Sequence, residues 1–201
     1  PYIKHKYIYT KNIGVKMLEQ VVTKKDNRLE VVKWLTSAKE LGLTQGLTVM
    51  PKKVFYKYVP KSRYVADGKV YRHLTKDELE RANSRLVHLI NKLVLKNAYK
   101  RDGKKLVAVA SIEGDNSSCV DLHTHFLLQK PDSYTSDDFH KQIVKAIELS
   151  GEFEMSNPNY RSDKDSEDKM YRYKVEEITE GWSGYITKKI DKLELNRLYF
   201  Y

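Results

Sequence analysis

Apolar residues recur at two different periods along this chain, and the changes of period lay out its elements. Leu29, Val32, Leu35 and Ala38 fall at helical spacing with Trp34 alongside, and residues 2–9 read as a short strand ahead of them. A strand is predicted over residues 46–50, where Pro51 closes the run Gly46-Leu47-Thr48-Val49-Met50. The clearest helix covers residues 76–97. Leu79, Ala82, Leu86, Leu89, Ile90 and Leu93 form one apolar stripe on it, and Thr75 and Glu78 have capping-box spacing at its start. Residues 106–113 and 120–129 read as strands. The turn-rich Gly114-Asp115-Asn116-Ser117-Ser118 between them predicts an antiparallel hairpin. A second helix opens at Thr135 or Ser136, carries Phe139, Ile143, Ala146 and Ile147 on one side, and stops at Ser150-Gly151. Residues 155–169 are polar and read as a surface loop, and residues 171–178 as a strand. A last helix is predicted over residues 183–195, with Trp182, Ile186, Ile190 and Leu193 as its buried stripe.

The order strand, helix, strand, strand, helix, strand, helix predicts an α+β fold. A four-stranded or slightly larger antiparallel sheet, with both crossover helices on one face, satisfies it in the manner of ferredoxin-like and RRM-like domains. The other face is left for a site, with the last helix laid near it. Residues 52–72 interrupt this scheme with a basic, aromatic stretch. Within it Asp67-Gly68, flanked by residues 64–66 and 69–71, has the chemistry of a tight hairpin turn.

Composition narrows the class of partner. Apolar residues make up 40% of the 201, enough for a core, and charged residues 32%. The formal charge of +10 and a pI near 9.4 point to a polyanion, nucleic acid first. The single cysteine, Cys119, excludes a disulfide framework and a cysteine zinc site. No apolar run approaches the ~20 residues of a membrane helix, so no membrane partner is expected. No signal peptide is visible. The chain begins at Pro1, which is compatible with an excised fragment of a longer protein.

Two clusters carry chemistry. In the strand over residues 120–129, alternation puts Val120, Leu122, Thr124, Phe126 and Leu128 towards the helices. Asp121, His123, His125, Leu127 and Gln129 then face the open side. Two imidazoles side by side on a sheet face suit a divalent metal. If odd residues pair with odd residues across the hairpin, Glu113 joins them and leaves positions open for water and substrate oxygens, with Asp115 and Asp121 as alternative third ligands. The second cluster is Gly184-Tyr185-Ile186-Thr187-Lys188-Lys189. On a helix, Lys188 and Lys192 lie one and two turns beyond Tyr185 on its side, where ammonium groups favour the phenolate and can hold a phosphate. A third set is suited to nucleic-acid contact: Lys52, Lys53, Lys57, Lys61, Arg63 and Tyr64 in the basic aromatic stretch, with Lys189 and Lys192 on the last helix.

In combination these motifs resemble the HUH endonuclease superfamily, specifically the single-tyrosine initiators of rolling-circle replication. A first strand with a Leu-Thr core is similar to Leu47-Thr48. A His-x-His strand with an upstream acid is similar to Glu113, His123 and His125, and a Tyr-x-x-Lys helix to Tyr185 and Lys188. The resemblance extends over about residues 46–195. It departs from the family at Thr124, where a bulky apolar residue is usual, and over the first forty residues, which have no counterpart. Conjugative relaxases fit less well, because in them the tyrosine precedes the histidines.

The resemblance implies a nuclease domain over residues 46–201 and an accessory segment, partly helical, over residues 1–45. It implies a Mg²⁺ or Mn²⁺ ion on Glu113, His123 and His125, with Tyr185 as nucleophile and Lys188 beside it. The implied substrate is single-stranded DNA or a DNA hairpin at an origin or element end. A host or fused helicase would be a partner. The setting would be cytoplasmic, nucleoid-associated in a prokaryote, or nuclear for a eukaryotic or viral protein. Two rivals share parts of this pattern: a single-tyrosine transposase of the same superfamily, and a non-catalytic RRM-like module binding single strands. An RRM-like module would carry aromatics on the strand face where this chain has His123, His125 and Glu113.

Overall fold

A computed structural model describes residues 42–61, 64–65, 67–114, 122–157, 161, 164, 170–178 and 198–201. Their elements are β1 (Leu43–Val49), β2 (Val54–Tyr58), β3 (Lys69–Arg72), α1 (Lys76–Leu95), α2 (Asn97–Asp102), β4 (Ala108–Glu113), β5 (His123–Gln129), α3 (Ser136–Ser150), β6 (Tyr173–Glu177) and β7 (Leu198–Phe200). The main sheet is antiparallel throughout, in the order β6-β1-β5-β4-β7. The fold is therefore the expected α+β one, with a fifth strand, β7, added beside β4. The expected helices over residues 29–38 and 183–195 lie outside the described residues.

Alternation along the strands divides the sheet into two faces. Leu47, Val49, Ala108, Ala110, Ile112, Phe126 and Leu128 pack under α1 and α3 in one core with Leu79, Leu86, Ile90, Phe139, Ile143 and Ile147. Phe126, on the central strand, is wholly buried. Period-2 strands meet period-3.6 stripes here, so both helices lie on one face.

Local chemistry sets the helix limits. At the start of α1 the Thr75 hydroxyl accepts from the Glu78 N–H, while the Glu78 carboxylate accepts from the Thr75 N–H at 2.8 Å. The helix ends at Leu95, short of the expected residue 97, because Lys96 turns to φ 48° and starts the short α2. In α3 Thr135 caps Asp138 and Gly151 takes the left-handed conformation after the last turn. A buried side chain joins helix to sheet: the Asn91 amide donates to Val87 C=O, and its carbonyl accepts from the Leu106 N–H at 2.7 Å, just ahead of β4.

The basic stretch differs from expectation. The Asp67-Gly68 turn exists, with Gly68 at φ 69° and the Asp67 carboxylate accepting from the Lys69 N–H. However, β3 pairs along its length with β2, in the register Val54↔Arg72 to Tyr58↔Lys69. The aromatic run over residues 54–58 supplies a ladder of β-favouring residues for it. The strand β1 also begins earlier than expected, at Leu43.

Candidate metal centre

The register of three strands assembles the site. β4 and β5 pair Glu113 with His123 and Ser111 with His125, and β1 and β5 pair Thr48 with His125. Directly opposed residues share a face. Glu113, His123, His125, Ser111 and Thr48 therefore lie together on the face turned away from α1 and α3.

The donor atoms converge. His123 Nε2 is 3.7 Å and His125 Nε2 3.9 Å from the same carboxylate oxygen, Glu113 Oε2. One ligand atom from each residue lies within 4.8 Å of the other two. Donors sharing one ion at bonds of about 2.1 Å sit about 3.0–3.4 Å apart, so small side-chain rotations close the set. The two imidazoles meet edge to face, with centroids 4.7 Å apart. Thr48 Oγ1 lies 2.8 Å from His125 Nδ1, which fixes the ring and leaves Nε2 aimed at Glu113.

Burial differs from the open face expected. Glu113 and His125 are each 2% exposed, and His123 is 7%. Val109 and Leu127 occupy the same face by alternation and are also buried, so this face forms a second sheltered layer. A carboxylate with so little access to water is costly unless a cation or strong donors compensate it. Two imidazoles and one carboxylate, the arrangement of facial-triad metal sites, fit that need and could hold a divalent metal ion with positions to spare.

Other expected site residues fall in different places. Lys53, Lys57, Lys61 and Tyr64 are exposed on or beside the β2–β3 hairpin. The Lys52 ammonium is engaged structurally, donating to the Gly151 carbonyl at the end of α3. Tyr185, Lys188, Lys189, Lys192 and Arg63 lie outside the described residues, as do the alternative ligands Asp115 and Asp121.

Sequence reasoning missed two features of this face. Thr48 stood out only as part of a strand core, and its contact with His125 spans 77 residues of chain. On β6, Lys174 pairs with Thr48, which places it two strands from His125 on the donor face, where its ammonium meets Glu176 at 2.8 Å. The alternation of Tyr173 and Val175 with Lys174 and Glu176 was visible, but only the register assigns the charged pair to this side.

Among the described residues no helix is long and apolar enough to cross a membrane. No family model matches the chain, and no curated protein matches it. Among solved structures it is similar to the N-terminal nuclease domain of non-structural protein 1 from minute virus of mice. That domain is described with a unique Zn²⁺ coordination in its active-site pocket and a novel mode of DNA recognition at the origin of replication. The likeness covers 88% of this chain and 72% of that one, at 11% identity and a TM-score of 0.29, which is too loose to carry function across.

Proposed function

We propose that the protein is a metal-dependent endonuclease and strand-joining enzyme for single-stranded DNA, acting through a covalent tyrosine intermediate. The observation that carries this reading is the convergence of His123 Nε2 and His125 Nε2 on Glu113 Oε2 in a sheltered sheet face. The motif order supports it, with Tyr185 and Lys188 following on the C-terminal side. Glu113, His123 and His125 would hold Mg²⁺ or Mn²⁺, which when bound supplies Lewis acidity to a scissile phosphate.

The remaining chemistry belongs to the chain. Tyr185 Oη attacks phosphorus after losing its proton to solvent. The new phosphorus–oxygen bond forms as the bond to the 3′ oxygen breaks, and the leaving oxygen takes up a proton. The products are a 5′-phosphotyrosine and a free 3′-hydroxyl. Lys188 steadies the phenolate and the charge that develops on the phosphate. The covalent bond conserves the energy of the cut linkage, so the reverse attack rejoins ends without ATP.

Initiation of rolling-circle replication, at an origin strand or hairpin and with a host or fused helicase, is the setting that the Leu-Thr strand and Tyr-x-x-Lys helix favour. Transposition would use the same chemistry. A non-catalytic binding module has no use for a buried carboxylate between two imidazoles. Incubation with a pool of random single-stranded DNA and Mn²⁺, followed by a denaturing gel, tests the reading. A covalent adduct lost in Tyr185→Phe is expected, and no adduct from any strand would overturn it.

A further inference from the structure

The β2–β3 hairpin carries an irregularity with a chemical consequence. Its register slips between Phe55 and Lys57, so Tyr56 is an extra residue in β2. In a regular strand Phe55 and Tyr58 would point to opposite faces. The bulge re-aims them to one side, where Phe55 lies 4.9 Å from Tyr58 and 6.3 Å from Tyr71, measured between ring centres. That side faces outward: Phe55 is 48% exposed, Tyr58 72% and Tyr71 50%. The inward side is accounted for by Val54, which packs on the main core, and by Arg72, whose guanidinium grips Glu78 at the start of α1.

We propose that Phe55, Tyr58 and Tyr71 form a stacking platform for the unpaired bases of single-stranded DNA. Three clustered rings held in water are the opposite of what burial of apolar surface favours, and such a patch marks a contact surface. The charge around it selects the occupant. Lys53, Lys57, Lys61 and Lys69 are all exposed, and the chain carries a net +10. Rings flanked by ammonium groups match bases flanked by phosphates. In paired DNA the bases are stacked inside the duplex and cannot lie on these rings, so the platform reads strandedness.

The hairpin is also close to the metal centre along the chain. β2 begins at Val54, six residues beyond Thr48, whose hydroxyl contacts His125. Six extended residues span at most about 20 Å, a reach of a few nucleotides. The root of the hairpin therefore starts within a few nucleotides' reach of Thr48, with Val54 and Arg72 anchoring it on the helical side of the sheet. This deepens the proposed function and rests on it only for the choice of DNA.

Binding measured by fluorescence anisotropy in EDTA tests the platform without strand cutting. The probes are one labelled single-stranded DNA of mixed sequence and the same sequence as duplex. Replacing Phe55, Tyr58 and Tyr71 together by leucine keeps apolar bulk but removes the rings. It should weaken single-strand binding by about tenfold or more and leave duplex binding nearly unchanged. Tyr58→Phe with Tyr71→Phe keeps the rings and should bind like the parent. Full single-strand affinity in the leucine variant, or an equal loss for both probes, would overturn the platform. If the leucine variant melts early, Tyr58→Leu alone decides, since that ring is the most exposed of the three. Adduct formation with Mn²⁺ is scored separately, so a protein that never forms an adduct but shows the expected binding losses contradicts the nuclease reading and keeps this one.

Discussion

Thr48 and His125 sit opposite each other on β1 and β5, and the threonine hydroxyl meets the imidazole Nδ1 at 2.8 Å. That contact sets which nitrogen of His125 faces Glu113. Thr48→Val keeps the shape and removes the contact. It should lower affinity for Mn²⁺ by about 10- to 100-fold with little change in melting temperature. Thr48→Ser should restore most of the affinity. Titration calorimetry with Mn²⁺ measures both, and unchanged affinity in the valine variant would remove Thr48 from the metal centre.

Metal binding and covalent chemistry should separate by residue. His123→Ala, His125→Ala and Glu113→Ala are each expected to abolish measurable Mn²⁺ binding and adduct formation. Tyr185→Phe should abolish the adduct and leave Mn²⁺ binding intact. EDTA should stop cleavage in the parent and excess Mn²⁺ should restore it. Glu113→Ala is the most informative of the set, because retained metal affinity would move the third ligand to Asp115 or Asp121.

The Arg72–Glu78 pair ties the hairpin to the helical layer and should give an acid-sensitive contribution to stability. Arg72 donates two hydrogen bonds of 2.7 Å to the Glu78 carboxylate. They hold its pKa at about 2, below the usual 4.5. A depressed carboxylate stabilises the fold above its unfolded pKa, and that contribution is lost as pH falls through the folded value. The gap in melting temperature between the parent and Glu78→Gln should therefore be constant above about pH 5 and close between pH 4.5 and 2. A gap independent of pH across that window would show that the ion pair adds nothing.

Phosphate contacts around the hairpin should appear in the salt dependence of binding. Lys57→Ala, Lys61→Ala and Lys69→Ala combined are expected to flatten the slope of log affinity against log salt by about two to three units, because fewer counterions are released. The same variant should keep the preference for single strands that the rings confer. An unchanged slope would place the phosphates elsewhere, with the basic N-terminal residues Lys4, Lys6 and Lys11 next in line.

Phe126→Ala tests the central strand itself. Phe126 is wholly buried between β1 and β4 and under the helices, so its removal should cost about 3–5 kcal/mol in denaturant unfolding. Its neighbours Thr124 and Leu128 share its face, whereas His125 does not. Where the variant remains folded, Mn²⁺ affinity should fall far less than stability.

Much of this protein is written locally. The capping box at Thr75 and Glu78, the stripe from Leu79 to Ile90, and the stop at Gly151 depend on residues within a turn or two of each other, and the structure has each of them. The alternation that puts His123 and His125 on one face and Phe126 on the other is equally local, since a strand's period of two needs no partner. What needed the tertiary structure is everything set by register. Whether Glu113 lies opposite His123, which hydroxyl meets His125, and on which side Lys174 falls all depend on how separate strands slide past one another, and a slip of one residue would invert every one of these placements. The bulge at Tyr56 makes the same point within a single hairpin. The sequence alternates its rings across two faces, and the pairing of β2 with β3 gathers three of them onto one, because an extra residue in a ladder is defined only by the strand it is paired against.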